Sequence, residues 1–258
     1  MTTKKVETRR AAPRAAAPMT RGLSAVEIKL TIRPDQELQG LRALELDEDS
    51  AEVRVLYFYD TVNLDLFNAG VVLRARLVKG SADDSTVKVR PVDPAKVSSS
   101  WTDIDGFKLE ADVTGTKVAT SASLTVQQKR DEIDQAAKGK RPIHKLFTRD
   151  QVRLLAEFYS RAIDFEKLKP LGPIRVLCWK TKHKKFPYGL TSEEWRLPDG
   201  EDLLEVSIKV APEEVSKARP AFESHLRELG LDPEGAQETK TRTALEYFAR
   251  TLRSEVGR

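Results

Sequence analysis

Six short stretches of this chain carry ionisable side chains at every second position. Glu27 and Lys29 alternate with Val26, Ile28 and Leu30; Arg74 and Arg76 alternate with Leu73, Ala75 and Leu77. Lys88 and Arg90 alternate with Val87 and Val89, and Lys108, Glu110 and Asp112 with Phe107, Leu109, Ala111 and Val113. Lys180 and Lys182 stand opposite in parity to Leu177 and Trp179, and Glu205 and Lys209 opposite to Leu204, Val206, Ile208 and Val210. Two chemistries are available from such a set. Lysine and arginine donate to phosphate oxygens, arginine in a bidentate fork. Carboxylate oxygens suit Mg²⁺ or Mn²⁺, hard cations that keep several waters and lean on substrate phosphates.

Those side chains need strands to present them. Successive residues of a strand point to opposite faces, so each stretch has one apolar and one charged face. An open sheet could show the charged face to water and lay the apolar face on helices. Two features favour closure instead. The charged face holds few Ser, Thr or Gln residues, and it sorts into a basic set (Arg74, Arg76, Lys88, Arg90, Lys180, Lys182) and an acidic one (Glu27, Glu110, Asp112, Glu205). Closing the sheet puts the apolar face outward under helices and the charges inside, where a bound polyanion offsets the cations.

Strands are expected at residues 25–32, 52–60, 71–79, 86–90, 107–113, 175–182, 191–197 and 203–210, with one helical turn at 63–68 before Gly70. A helical insert near 120–168 is expected to hold a helix at 126–138 and another from the cap Thr148 to about 166, ended by Pro170 and Pro173. Helices are expected again at 212–229 and 241–256. Strands, then helices, then strands, then helices make an α+β fold, here a closed antiparallel β-barrel of about eight strands forming a charged tunnel ringed by helices.

Composition sets outer bounds. The chain has 258 residues, 40% hydrophobic and 33% charged, with a net charge of +4. Within residues 1–22, six basic residues face only Glu7, so the rest is nearly neutral. That leader reads as a solvated, disordered tail, and nucleic-acid binding is not expected. One cysteine, Cys178, leaves no intramolecular disulfide and fits a reducing, cytoplasmic setting. No apolar run is long enough to span a bilayer, and no membrane partner is expected. His144, His183 and His225 lack ligand spacing, and Trp101, Trp179 and Trp195 read as packing residues.

The run Tyr59-Asp60-Thr61, Leu64, Leu66, Ala69-Gly70, Leu73-Arg74-Ala75-Arg76 resembles the CYTH family, the triphosphate tunnel metalloenzymes. The family includes class IV adenylyl cyclases, thiamine triphosphatases and inorganic triphosphatases. Thr86-Val87-Lys88-Val89-Arg90 is similar to its next basic strand and Phe107–Asp112 to its central acidic strand. Glu205–Lys209 falls where the family has a late acidic strand, and Lys240 and Arg242 where a basic residue precedes the last helix. The family's opening ExExK reads here as Ala25, Glu27 and Lys29, and Ser207 stands at a second acidic position.

The resemblance implies a tunnel domain over 23–250, followed by a tail at 251–258, that binds a triphosphate with Mg²⁺ or Mn²⁺ and hydrolyses it. Glu27 and Lys29 are its expected catalytic pair. Lys29, Arg74, Arg76, Lys88, Arg90, Lys180, Lys182 and Lys240 are expected to hold phosphate, and Glu27, Glu110, Asp112 and Glu205 the metal. The expected partner is a triphosphate-bearing small molecule. A non-catalytic polyphosphate or nucleotide binder, a class IV adenylyl cyclase and a homodimer stay open.

Overall fold

The computed structural model describes residues 22–232 and 239–256. Nine strands close into one barrel in the order β1-β5-β6-β4-β3-β2-β7-β8-β9. They are β1 (Ala25–Thr31), β2 (Glu52–Asp60), β3 (Val71–Val78), β4 (Asp84–Val89), β5 (Phe107–Thr114), β6 (Lys117–Gln127), β7 (Lys169–Thr181), β8 (Leu190–Arg196) and β9 (Asp202–Val210). The helices are α1 (Glu37–Ala43), α2 (Asp65–Asn68), α3 (Glu132–Ala137), α4 (Arg149–Phe158), α5 (Val215–Glu228) and α6 (Lys240–Val256).

Closure is as the alternation implies, and the strand count is one above the expected figure. The pairing is not wholly antiparallel: β1 and β5 run parallel, with Glu27 beside Asp112. The ninth strand is β6, at 117–127, where a helical insert was expected. Its inward positions are Ser121, Ser123 and Thr125 rather than charges, so the alternation that marks its neighbours is weak there. Pro170 and Pro173 lie within β7, beside the register shift in its pairing with β2. A missing ladder donor is tolerated at such an irregularity. The basic leader falls outside the described residues up to position 21, and α6 runs through 251–256 as the helix expected at 241–256 does, so those residues of the expected tail are helical.

The apolar faces point out and are covered. Leu73, Val87, Leu109 and Leu124 pack under α3 and α4 through Ile133, Leu154 and Leu155. Val26, Ile28, Ala111, Val206 and Ile208 pack under α5 through Ala218, Phe222 and Leu226. A third cluster occupies one end of the barrel. There Leu56, Phe58 and Val176 share the inward parity of Arg54 and Cys178, and α6 inserts Ala244, Leu245 and Phe248 against them. The helix α6 thus covers that end, and its first residues, Lys240 and Thr241, line the interior.

Two local devices set the register. The Asp60 carboxylate accepts the N–H groups of Thr61, Leu66 and Phe67 at 2.7, 2.9 and 2.9 Å, which folds α2 back onto the barrel. Gly70 follows at φ 81, and a Cβ there would lie 1.9 Å from the Arg90 carbonyl oxygen. That close approach carries the Arg90 N–H to Gly70 O at 2.9 Å and aligns β3 with β4. Thr148 caps α4 in a capping box with Gln151, as expected. The buried Gln151 amide also donates to Ser85 O and Leu124 O, fastening α4 to β4 and β6.

Candidate functional site

The barrel encloses a cavity of about 480 Å³. Its wall includes Glu27, Lys29, Arg74, Arg76, Lys88, Arg90, Glu110, Lys180, Glu205 and Lys240, all expected from the sequence. Asp112 reaches it only through Lys29 and Lys88, which it binds at 2.9 and 2.6 Å. Lys182 does not line it. The residue lies one past the end of β7 and is exposed, so strand alternation no longer fixes its direction.

Four charged wall residues lie outside the expected sets: Lys108 and Lys209, which the alternation marked without a role, and two that it did not mark. Arg54 and Glu193 sit on β2 and β8, whose other inward positions are Leu56, Phe58 and Trp195, so no charge alternation announced them. The hint was weaker: Glu193 is one of two adjacent acids in a strand. Trp195, expected to be a packing residue, both packs on Phe58 with ring centroids 5.8 Å apart and lines the cavity.

The wall groups fall into paired and unpaired sets. Lys29 Nζ lies between Glu27 and Asp112 at 3.0 and 2.9 Å. Lys240 Nζ lies between Glu205, at 3.1 Å, and Glu193, which it touches more closely, and sits over the Trp195 ring. Glu193 also pairs with Arg54 at 3.2 Å and accepts the Trp195 indole N–H at 3.3 Å. Arg76 pairs with Asp84 at 2.7 Å and Lys209 with Glu110 at 3.1 Å. Arg74, Arg90, Lys108 and Lys180 have no carboxylate partner among the described residues. Arg74 reaches only Thr86 Oγ1 at 3.4 Å, and its Nε is buried without a partner.

Electrostatics divides the groups similarly, except that Lys88, paired with Asp112, falls with the cations that burial lowers. Burial opposes charge on Lys29, but Glu27, Asp112 and Glu205 outweigh it and hold the ammonium well above its usual range. Burial likewise opposes ionisation of Asp112 and Glu193, yet their lysine neighbours hold both far below ordinary carboxylates. Arg74 goes the other way: burial, then repulsion by Arg76, pushes it down to about 10. Burial also lowers Lys88 and Arg90, and Asp112 does not fully offset this. These three cations are held in place at a cost that an incoming anion would relieve.

The counts agree. Ten cationic side chains line the cavity against four carboxylates, and Glu52, Asp84 and Asp112, paired to wall residues, bring the acids to seven. The site thus carries an excess of three positive charges. The donor set fits a divalent cation poorly. Among the described residues, the three carboxylates whose oxygens converge are Glu37, Glu194 and Asp202, outside the cavity. Glu27, Glu110, Asp112 and Glu205 share no such point, and each is bound to an ammonium group.

No protein-family model matches the chain, and no curated protein does. Solved structures do. A proposed adenylate cyclase from Bacillus halodurans superposes with a TM-score of 0.58 at 13% identity, over 86% of this chain and 97% of that one. A proposed adenylyl cyclase from Hippeastrum, whose dominant activity is that of a triphosphatase, superposes with a TM-score of 0.56 at 18% identity, over 82% and 91%. The chain therefore has the fold of these cyclase-type proteins, the closed tunnel that the CYTH resemblance implies. No helix among the described residues is long and apolar enough to cross a membrane.

Proposed function

We propose that the tunnel binds inorganic triphosphate, or the triphosphate of a small molecule, and hydrolyses a phosphoanhydride bond in it. The observation that carries this reading is the set of cations converging on the cavity, above all Arg74, Lys88 and Arg90, whose surroundings disfavour their charge until an anion enters. Phosphoryl transfer asks mainly for alignment of the attacking and leaving oxygens and for stabilisation of charge on the transferred group. Arg74, Lys88 and Arg90 supply that charge from adjacent strands. Glu27 faces the same space, held by Lys29 on one oxygen and by the Ser207 hydroxyl at 3.2 Å on the other. It is placed to accept a hydrogen bond from the attacking water. The likeness to the Hippeastrum triphosphatase supports hydrolysis over simple binding.

Cyclisation of ATP is less well served. It needs room for a base beside the phosphate track, and the two aromatic rings in the wall, Phe58 and Trp195, are packed on each other with Lys240 over the latter. A non-catalytic binder is the second reading, and Ala25 and Ser207, at positions where the family carries acids, favour it. Phosphate release and cyclic AMP formation from tripolyphosphate, ATP and thiamine triphosphate, each with Mg²⁺, Mn²⁺ or EDTA, separate the three. Release from tripolyphosphate is the expected result. Binding without release would favour the second reading, and cyclic AMP the cyclase.

A further inference from the structure

We infer that two lysine ammonium groups, Lys29 and Lys240, occupy the places between carboxylates where a divalent cation would sit, so that the tunnel binds its triphosphate without a metal. This rests on the triphosphate reading above and concerns how that same site balances charge.

Three observations carry it. The first is geometric. Lys29 Nζ bridges Glu27 and Asp112 at 3.0 and 2.9 Å, and Lys240 Nζ bridges Glu193 and Glu205. Each ammonium thus joins two carboxylates from different strands, as a bound cation would. An Mg²⁺ ion needs oxygens at roughly 2.0–2.1 Å in near-octahedral array. Setting one between Glu27 and Asp112 would require Lys29 to leave the pair of acids that neutralises it.

The second observation is the donor set. Ala25 offers no oxygen, and the Ser207 hydroxyl, at the other variant position, is spent on Glu27 Oε1 at 3.2 Å. What remains around Lys29 is two acids already shared with an ammonium.

The third is charge. A triphosphate at neutral pH carries roughly four to five negative charges, with close to two on each terminal phosphate. The wall's ten cations exceed its own and its paired acids, seven in all, by three, which offsets most of that charge with no metal present.

The test is calorimetric titration of the full chain with tripolyphosphate, once in EDTA and once in Mg²⁺, together with titration of Mn²⁺ alone. The expected result is a dissociation constant that agrees within about threefold between the two buffers, and no Mn²⁺ binding to the unliganded protein. Tightening by more than about tenfold in Mg²⁺ would overturn the inference and leave the triphosphate reading standing. Absence of binding in both buffers would overturn the triphosphate reading itself, and this inference with it. A second variant sharpens the test. Ala25→Glu combined with Ser207→Glu places two acids on either side of Glu27, and it is expected to gain Mn²⁺ binding and metal-dependent triphosphate affinity. Wild-type behaviour decides the matter even if that variant does not fold.

Discussion

Arg74 shows how one side chain can be unfavourable for stability and necessary for binding. It is half-buried, its Nε sealed from solvent, with a single weak contact to Thr86, and lies beside Arg76. Replacing it by methionine, Arg74→Met, removes a desolvated charge and keeps an unbranched apolar stem. The melting temperature should hold or rise, while tripolyphosphate affinity falls by about 10–100-fold, the worth of one charge-assisted hydrogen bond. Thermal melts and calorimetry on the same sample check both halves. A fall in stability with unchanged affinity would remove Arg74 from the phosphate track.

Asp112 gives the opposite sign. Its folded value lies well below the usual 3.8, because Lys29 and Lys88 outweigh burial. A depressed carboxylate contributes stability in full above its unfolded value, and loses it as pH falls through the folded one. Asp112→Asn should therefore be less stable than wild type at neutral pH and lose less between about pH 4 and pH 2, as urea melts across that range would show. Most wall residues were legible at this scale, because alternation of charge with Val, Leu and Ile fixes parity. Arg54 and Glu193 were not legible, since their strands alternate charge with aromatic and aliphatic residues that also face inward. The His183–His225 contact, 2.9 Å between ring nitrogens 42 positions apart, has no local signature at all.

Elements were legible where contrast between faces is strong. The first four strands and the turn at α2 follow from apolar alternation and from the Asp60 and Gly70 chemistry. The strand β6 was lost because Ser121, Ser123 and Thr125 alternate with Thr120, Ala122 and Leu124, a difference too small to mark a period. Its partners β4 and β5 are far better marked, so β6 is specified by their unpaired edges as much as by its own residues. The β3–β4 junction depends on Gly70. Gly70→Ala puts a methyl group against the Arg90 carbonyl and strains a positive φ. The expected loss is more than about 1 kcal/mol in urea unfolding, because a left-handed position penalises any Cβ even without a clash. Because Arg90 shares that contact, triphosphate affinity should fall as well.

Docking of α1 is tuned in the other direction. Burial, a hydrogen bond with Glu194 and the charge of Asp202 push Glu37 up to about 7. A raised carboxyl favours the folded state while protonated, so its contribution declines as pH rises from about 4.5 through 7. Glu37→Gln should gain stability over wild type at pH 8 and show no gain at pH 4. Equal effects at both pH values would mean that the Glu37–Glu194 contact is not a shared proton.

At the scale of the whole molecule, the barrel concentrates like charge that separate strands could not hold together. Closure brings ten cations around about 480 Å³, and two apolar clusters packed outward under α3, α4 and α5, with a third under α6 at one end of the barrel, hold them there. Repulsion among the unpaired set opposes folding, and the covering helices overcome it. Two consequences follow from this opposition. Salt screens the repulsion over a Debye length of about 10 Å at 0.1 M, so the unliganded protein should melt higher as sodium chloride rises through that range. Tripolyphosphate acts on the same charges by binding only the folded barrel. At about 100 times its dissociation constant it should add roughly 2.7 kcal/mol of stability. The two effects compete, since salt weakens the ligand's attraction while relieving the empty tunnel. The rise in melting temperature produced by tripolyphosphate should therefore shrink at about 0.5 M salt, where screening is several times shorter-ranged than in dilute buffer. Scanning calorimetry over a grid of salt and tripolyphosphate concentrations tests the pair together. A ligand effect that salt leaves untouched would mean that the cation excess is not what binds, and the electrostatic account of the tunnel would fail with it.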